Sequence, residues 1–397
     1  MKQSIAIDDV KVGMYVHSLG KNWLKHDFVL SHFLIDDNET LKKLKNSKLK
    51  TVVIDTEKSL DIGNLPSAKA SKSEEKADNQ KITSTSKNSE PLFPVTTGAD
   101  IQLAKKACLM AAETVRSLMN DSRAGKALKL ESAETAAESI LKSIDRNPHA
   151  LNAITRLKSR DDYTLQHSVS VSALLAGFAR GRYGQEEVEE ITIGGLVHDI
   201  GKINVPDQIL NKPDRLTDNE FVIMKQHVLH SRELLNEANF TEKQIDIALM
   251  HHERPDGKGY PFGLGDGEIS EIGYSAAVID VYDALSSKRV YKKAWEPSQA
   301  LKHMVKWGSD QFNMPTLVSF INYVGVYPVG TWVALSNNCV GFVIAQSEDK
   351  LNPVVRLKLS LRDRRTLDHD IDLSSSDEVI SAVVSAKTFG LDDDFDV

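Results

Sequence analysis

The sequence predicts a multidomain protein built mainly of α-helices, with a small N-terminal α+β unit and a short C-terminal β appendage. Three observations carry that prediction. Apolar residues recur at helical spacing over residues 101–325, interrupted only by loops that contain Gly and Pro. Short runs rich in β-branched residues, bounded by turn formers, fall within residues 1–62 and 326–375. Between the first unit and the helices, residues 63–100 are dominated by Ser, Lys, Glu, Asn and Thr, with Pro66, Pro91 and Pro94 as breakers. Such a stretch buries too little apolar surface to offset its ordering entropy, so it is expected to be a flexible linker.

In the first unit, residues 10–17 and 28–35 predict strands. Asp37-Asn38 can cap a short helix over 39–45, and Thr-Val-Val-Ile-Asp at 51–55 predicts another strand. No nucleophile or metal-ligand grouping occurs there, so a regulatory or interaction role is expected. Helices are predicted over 101–118 and 132–145, the second with Ser132 as N-cap and Asn147-Pro148 as its stop. From 152 to 324 the pattern is amphipathic helix, broken at Lys212-Pro213-Asp214 and at 255–267. Beyond it, residues 330–335, 340–344 and 354–357 predict strands, and 376–397 an acidic, solvated tail.

The formal net charge of −7 argues against binding a nucleic-acid polymer, because affinity for a phosphate backbone rests on basic surface. An anionic substrate would need a local basic or metal site instead. Cys108 and Cys339 lack a CxxC partner, which suits buried structural thiols in a reducing compartment. The N-terminus has no apolar signal segment and no run is long enough to span a membrane, so a soluble, cytoplasmic protein is expected.

The chemistry concentrates in the central segment. His198-Asp199 sits inside Gly194-Gly195-Leu196-Val197-His198-Asp199-Ile200-Gly201, and His251-His252 follows later. Imidazole and carboxylate groups in an apolar run are costly to bury unless something binds them. A divalent metal is the usual answer. His167, His227 and Asp280, the last after an apolar run, extend the set, whereas His230 and His303 fit ordinary helix histidines. Mixed His and carboxylate donors suit Fe, Mn or Zn better than Mg. So many ligands exceed the needs of one ion. Asp199 is the natural bridge between two ions roughly 3.5–4 Å apart, which would acidify a shared water and clamp a phosphoryl group. Lys202, about one turn from His198-Asp199, is placed to stabilise charge developing on a phosphate.

Three ordered motifs then become specific. His198-Asp199-Ile200-Gly201-Lys202, His251-His252-Glu253-Arg254-Pro255-Asp256-Gly257-Lys258-Gly259-Tyr260-Pro261 and Asp280-Val281-Tyr282-Asp283-Ala284-Leu285 together closely resemble the HD-GYP family. This is a subgroup of the HD phosphohydrolases that degrades the bacterial second messenger cyclic di-GMP. The resemblance spans roughly residues 150–325, and the N-terminal unit looks like the uncharacterised domain that often precedes HD-GYP modules. It implies an HD-type helical catalytic domain and a metal-dependent phosphodiesterase giving pGpG, and onward GMP, by attack of a metal-bridging hydroxide. It implies a binuclear centre (Fe or Mn, with Zn, Ni or Co as further candidates) held by His167, His198, Asp199, His227, His251, His252 and Asp280. His198, Asp199 and Lys202 would carry catalysis. Arg289, Lys292, Tyr260, Gly259 and Asp283 would contact substrate, Tyr260 by stacking on guanine. Partners implied are cyclic di-GMP and diguanylate cyclase (GGDEF) proteins, with a homodimer left open. Two other readings stand beside this one: another cyclic dinucleotide as substrate, and a non-catalytic cyclic di-GMP binding module. One departure stands out: Tyr163 occupies the position where some members carry a Glu that helps bind a third metal. A binuclear site is therefore expected.

Overall fold

The computed structural model describes residues 2–12, 14–18, 33–35, 38–45, 51–55, 95–155, 163–287 and 295–391. The chain divides into two compact units, Met1–Pro91 and Leu92–Val397. The first contains β1 (Lys2–Ala6), β2 (Tyr15–Ser18), β3 (Phe33–Leu34), α1 (Asn38–Lys45) and β4 (Thr51–Asp55). Its strands form an antiparallel sheet in the order β1-β4-β2-β3, with Lys2 opposite Asp55 and Tyr15 opposite Leu34. Val16, Val52 and Ile54 turn inward onto Val10, Met14, Ile35 and Leu44, which gives this unit its own apolar core.

Two expectations for this unit need correction. The strand read at 10–17 begins only at Tyr15 and runs to Ser18, because the chain turns just before it, the Met14 N–H donating to the Lys11 carbonyl at 3.2 Å. The sequence reading also passed over β1. Lys-Gln-Ser-Ile-Ala has too little alternation to predict a strand, and its extended form is held by pairing with β4.

The second unit opens with two long helices, α2 (Gly98–Arg123) and α3 (Leu130–Arg146), followed by α4 (Pro148–Thr155). Thr97 caps α2 through a reciprocal pair: its side chain accepts the Asp100 N–H, and the Asp100 carboxylate accepts the Thr97 N–H at 2.8 Å. Residues 95–100 therefore belong to ordered structure. The linker expectation otherwise falls on residues 63–94, which lie outside the described residues. Ser132 is not the cap of α3; the helix begins a half-turn earlier at Leu130, leaving Ser132 inside its first turn.

The central layer comprises α5 (Tyr163–Ala179), α6 (Gln185–Val197), α7 (Asp207–Leu210), α8 (Asp218–Lys225), α9 (His227–Glu237), α10 (Glu242–Met250) and α11 (Glu271–Ser286). After α12 (Pro297–Trp307) and α13 (Met314–Val324) come β5 (Trp332–Leu335), β6 (Cys339–Ala345), β7 (Val354–Ser360), β8 (Thr366–Asp372) and β9 (Ile380–Val383). These five strands form one antiparallel sheet ordered β8-β7-β6-β5-β9. Strand β9 and a 3-10 turn at Ala386–Phe389 lie within the stretch read as an acidic tail. Ala386, Phe389 and Leu391 pack against Trp332 and Phe342, so apolar burial orders residues that composition alone marked as solvated. The sheet is tied to the start of the helical layer, since the Thr96 N–H and hydroxyl both donate to the Ile344 carbonyl, at 3.3 and 3.0 Å. Cys108 and Cys339 form no disulfide and are half-buried, not buried as expected. Among the described residues, no helix is long and apolar enough to cross a membrane.

Candidate metal and phosphodiester site

Glycine places the first ligands. A Cβ on Gly195 would lie 2.7 Å from Ser172 Cα, and one on Gly194 would meet Ile247 Cδ1 at 2.6 Å. The Gly194-Gly195 pair thus lets α6 run in close contact with α5 and α10, bringing His198 between His167 on α5 and His251 at the end of α10. Gly201 repeats the device on the next turn. Its missing Cβ would stand 2.1 Å from the His227 carbonyl oxygen, and its N–H donates to Ser231 Oγ at 2.9 Å. Ser231 in turn donates to the His198 carbonyl at 3.0 Å. The turn after His198-Asp199 is clamped onto α9, where His227 is the first helical residue.

Three imidazoles are aimed by the same local bond. Nδ1 of His198, His227 and His251 lies 2.8, 2.7 and 2.9 Å from the carbonyls of Gly195, Met224 and Ala248, each three residues back. A carbonyl only accepts, so each Nδ1 carries the proton and each Nε2 presents a lone pair. Those three Nε2 atoms, with Asp199 Oδ1, are buried and have no hydrogen-bond partner. Orphaned buried acceptors on this scale are costly, and they fit a metal. Donor atoms of His167, His198 and Asp199 lie within 4.8 Å of one another, as do those of His227, His251 and His252. Asp199 spans the two groups: Oδ2 is 3.3 Å from His198 Nε2 and 3.7 Å from His167, while Oδ1 is 3.3 Å from His227 and 3.7 Å from His251. Asp280 spans them from the other side, 2.9 Å from His167 Nε2 and 3.8 Å from His252 Nδ1.

The electrostatics follow from this crowding. Burial alone would raise the Asp199 pKa, but the Lys202 ammonium beside it holds the carboxyl well below its ordinary value. Asp280 is likewise held low, against its burial, chiefly by His167. Burial, reinforced by His252 and His198, pushes His251 far down, and burial brings His252 to about 3, so both are neutral and ready to coordinate. His167 goes the other way. Burial opposes its charge, but carboxylates on both ring nitrogens, Asp280 and Asp283, raise its pKa.

All seven expected ligand residues are brought together, and Lys202 joins them with Nζ 2.5 Å from Asp199 Oδ2. Tyr260 and Gly259 line an adjoining cavity of about 330 Å³ that reaches His251 and His252, Tyr260 with its ring 4.6 Å from that of His252. Asp283 is a correction. It does not face substrate: its carboxylate is buried, accepts from His167 Nδ1 at 2.7 Å, and also takes the Ser170 and Ser287 hydroxyls. It lies one turn beyond Asp280 on α11, which turns it behind His167 rather than into the cavity. Arg289 and Lys292 lie outside the described residues, as does the Tyr163 side chain.

The sequence reading missed Glu253. This buried carboxylate accepts the N–H groups of Phe262 at 2.8 Å and Leu264 at 3.0 Å, holding the loop that carries Tyr260. Gly259 packs so tightly on the start of that loop that a Cβ would be 2.5 Å from both Glu253 Cα and Arg254 N. An acid immediately before a Gly-rich loop, where backbone donors need an acceptor, was the available signal.

Comparison with known proteins settles the lineage. Residues 151–314 match the HD domain family, and residues 2–133 match a domain of unknown function, DUF3391. A cyclic di-GMP phosphodiesterase of Pseudomonas aeruginosa is 36% identical over 379 residues, covering 92% of this chain and 87% of that protein. The chain is a member of the HD-GYP family. A cyclic di-GMP phosphodiesterase of Thermotoga maritima is 39% identical over 166 residues, 41% of this chain and 45% of that one. A 3′3′-cGAMP-specific phosphodiesterase of Vibrio cholerae is 37% identical over 139 residues, 34% of this chain and 26% of its own length. The HD domain family is metal-dependent, and the His/Asp cluster supplies donors here that could hold such a metal.

Proposed function

We propose that the chain hydrolyses cyclic di-GMP, opening one 3′,5′-phosphodiester to give pGpG and, on further turnover, GMP. The observation that carries this reading is the Asp199 carboxylate lying between two histidine-rich triads beside the cavity that Tyr260 lines. The relatives named for the same activity support it, one of them across most of the chain. His167, His198 and Asp199 would hold one divalent ion and His227, His251 and His252 a second, with Asp199 shared and Asp280 completing the set. Fe or Mn suits these donors best. Bound there, such ions supply an acidified water and neutralise phosphoryl charge.

The chain's own residues do the remaining work. The carbonyl-anchored imidazoles keep the donor set rigid before anything binds. Lys202 sits beside Asp199 as a cation able to donate to a phosphoryl oxygen as charge builds, a contribution of about 10²–10³-fold for a preorganised donor. Burial, with the Asp280 and Asp199 charges nearby, drives the Tyr260 phenol far above its usual range, so it stays a neutral ring against which a base can stack. Arg289 and Lys292 hold the substrate phosphates in this reading. The protein works in the cytoplasm, alongside the GGDEF proteins that make its substrate.

The test is anaerobic incubation of the full chain with cyclic di-GMP and Mn²⁺ or Fe²⁺, with products resolved by chromatography and metal measured on the same sample. pGpG formation and two ions per chain are expected. Turnover of 3′3′-cGAMP without cyclic di-GMP would move the assignment to the substrate of the Vibrio relative. Undiminished hydrolysis by His198→Ala and Asp199→Ala would remove it altogether, and three ions per chain would overturn the binuclear centre.

A further inference from the structure

The cavity beside the metal cluster has a wall on α8 that the site so far described does not use. Phe221 is 46% exposed although it is a large aromatic, and its neighbours Val222 and Ile223 are also exposed. Of these, Phe221 lines the cavity, and an exposed aromatic at a cavity mouth marks a place where something docks. The rings step outward from the metal ligands in order: Tyr260 lies 4.6 Å from His252, and Phe221 lies 6.1 Å beyond Tyr260, nearly perpendicular to it. Lys225, one turn after Phe221, sets its ammonium 5.2 Å from the Phe221 ring centre and 5.9 Å from that of Tyr260. Of the other cations lining the cavity, Arg254 is forked onto Asp256 at 2.6–3.0 Å and Lys258 is 3.5 Å from the same carboxylate. Among the described lining residues, Lys225 is the cation without a carboxylate partner.

We infer that Phe221 and Lys225 form a guanine-reading wall, with Phe221 contacting the face of a base that leaves the cleaved phosphate outward along Tyr260, and Lys225 donating to that base's edge. This rests on the cyclic dinucleotide reading above and goes beyond it by naming what selects the base. Guanine offers two adjacent acceptors, O6 and N7, on one edge, whereas adenine replaces O6 with an amino donor. An ammonium group has three donors and no acceptor, so it pairs with the guanine edge and is left facing a donor on adenine. Its two aromatic neighbours hold it at the level of a stacked base through cation–π attraction. Base stacking by itself tolerates any purine; the charge is what discriminates.

The experiment compares kcat/KM of the full-length, metal-loaded wild type with Lys225→Met and Phe221→Ala, using cyclic di-GMP and cyclic di-AMP as parallel substrates. Metal content and unfolding midpoint check that each variant is folded. Lys225→Met, which keeps the aliphatic stem, is expected to narrow the preference for cyclic di-GMP over cyclic di-AMP by about tenfold or more, the loss of one well-placed base contact. Phe221→Ala is expected to weaken both substrates through KM while leaving their ratio within about twofold, because stacking reads no edge. Equal loss on both substrates in Lys225→Met would make the lysine a phosphate contact and overturn the inference, as would no loss at all. Wild-type protein that cleaves bis(p-nitrophenyl) phosphate but neither cyclic dinucleotide would overturn the substrate reading and this inference with it. Wild-type cleavage of cyclic di-GMP with an unchanged Lys225→Met ratio overturns this inference alone.

Discussion

His198, His227 and His251 share one orientation device, an Nδ1–H bond to the carbonyl three residues back, and His167 breaks the pattern. His167 instead donates to Asp283, a buried carboxylate that two serine hydroxyls also hold. Removing such a partner loosens a ligand without touching the metal. Asp283→Ala is expected to lower metal affinity, and activity at limiting metal, about 10–100-fold, with recovery in excess metal. Titration of metal into the variant checks it. A raised KM for the dinucleotide at full metal loading would return Asp283 to a substrate role. The residue scale is also where reading from sequence erred: Asp280 and Asp283 sit in one motif, and three residues along a helix is enough to turn one into the cluster and the other behind it.

At the scale of elements, the site depends on how closely α9 approaches the turn after His198-Asp199. Gly201 sets that distance, since a Cβ there would collide with the His227 and Ser231 backbones at 2.1 and 2.3 Å. Backbone cannot swing aside like a side-chain tip. Gly201→Ala is therefore expected to cost about 1–3 kcal/mol, as overpacking does, and to shift His227. Urea unfolding and metal analysis together test this; a variant with wild-type stability and metal content would show that the close approach is dispensable. Gly194 and Gly195 do the same for α6 against α10 and α5. These glycines were read in the sequence only as apolar context for His198. Their use is tertiary, because a close approach exists only once a second helix is there to approach.

At the scale of the whole molecule, the catalytic unit should stand without the first one, provided the cut respects its true beginning. Thr96 is bonded to Ile344 on β6, and Thr97 caps α2. A chain starting at Leu92 is expected to unfold cooperatively with a midpoint near that of residues 92–397 in the intact protein. One starting at Ile101 loses the cap, about 0.5–2 kcal/mol, as well as both Thr96 bonds. Thermal melts of the two truncations distinguish them, and equal midpoints would refute the role given to residues 95–100. Stability should also fall in mild acid. Burial, aided by the Lys350 charge, pushes His149 down to about 4, against an ordinary value near 6.5. Between those values the unfolded chain binds the proton and the folded one does not, so stability from this group is complete above pH 6.5 and is lost progressively toward pH 4. The full loss is about 3 kcal/mol. His251 and His252 add to it in metal-free protein. Denaturant unfolding at pH 7 and 4.5 is expected to show a smaller drop in His149→Gln than in wild type; parallel curves would contradict the assignment.

The central helices, strands β4 to β7, and the grouping of seven His and Asp residues were legible without a structure. Helical and strand periods are local, and apolar runs that carry His and Asp announce a binder wherever they fold. Strands β1, β8 and β9 were not legible, since each is held in its extended form by pairing with a neighbouring strand. The same division runs through the site. His198-Asp199 and His251-His252 name the chemistry by residue type and order. Only packing decides that Asp199 faces both triads, that Asp283 and Glu253 turn away to hold His167 and the Tyr260 loop, and that Lys225 comes to rest between two rings at the cavity mouth. Donor identity is a property of the chain, whereas the direction a donor points is set by helices that meet far apart in sequence.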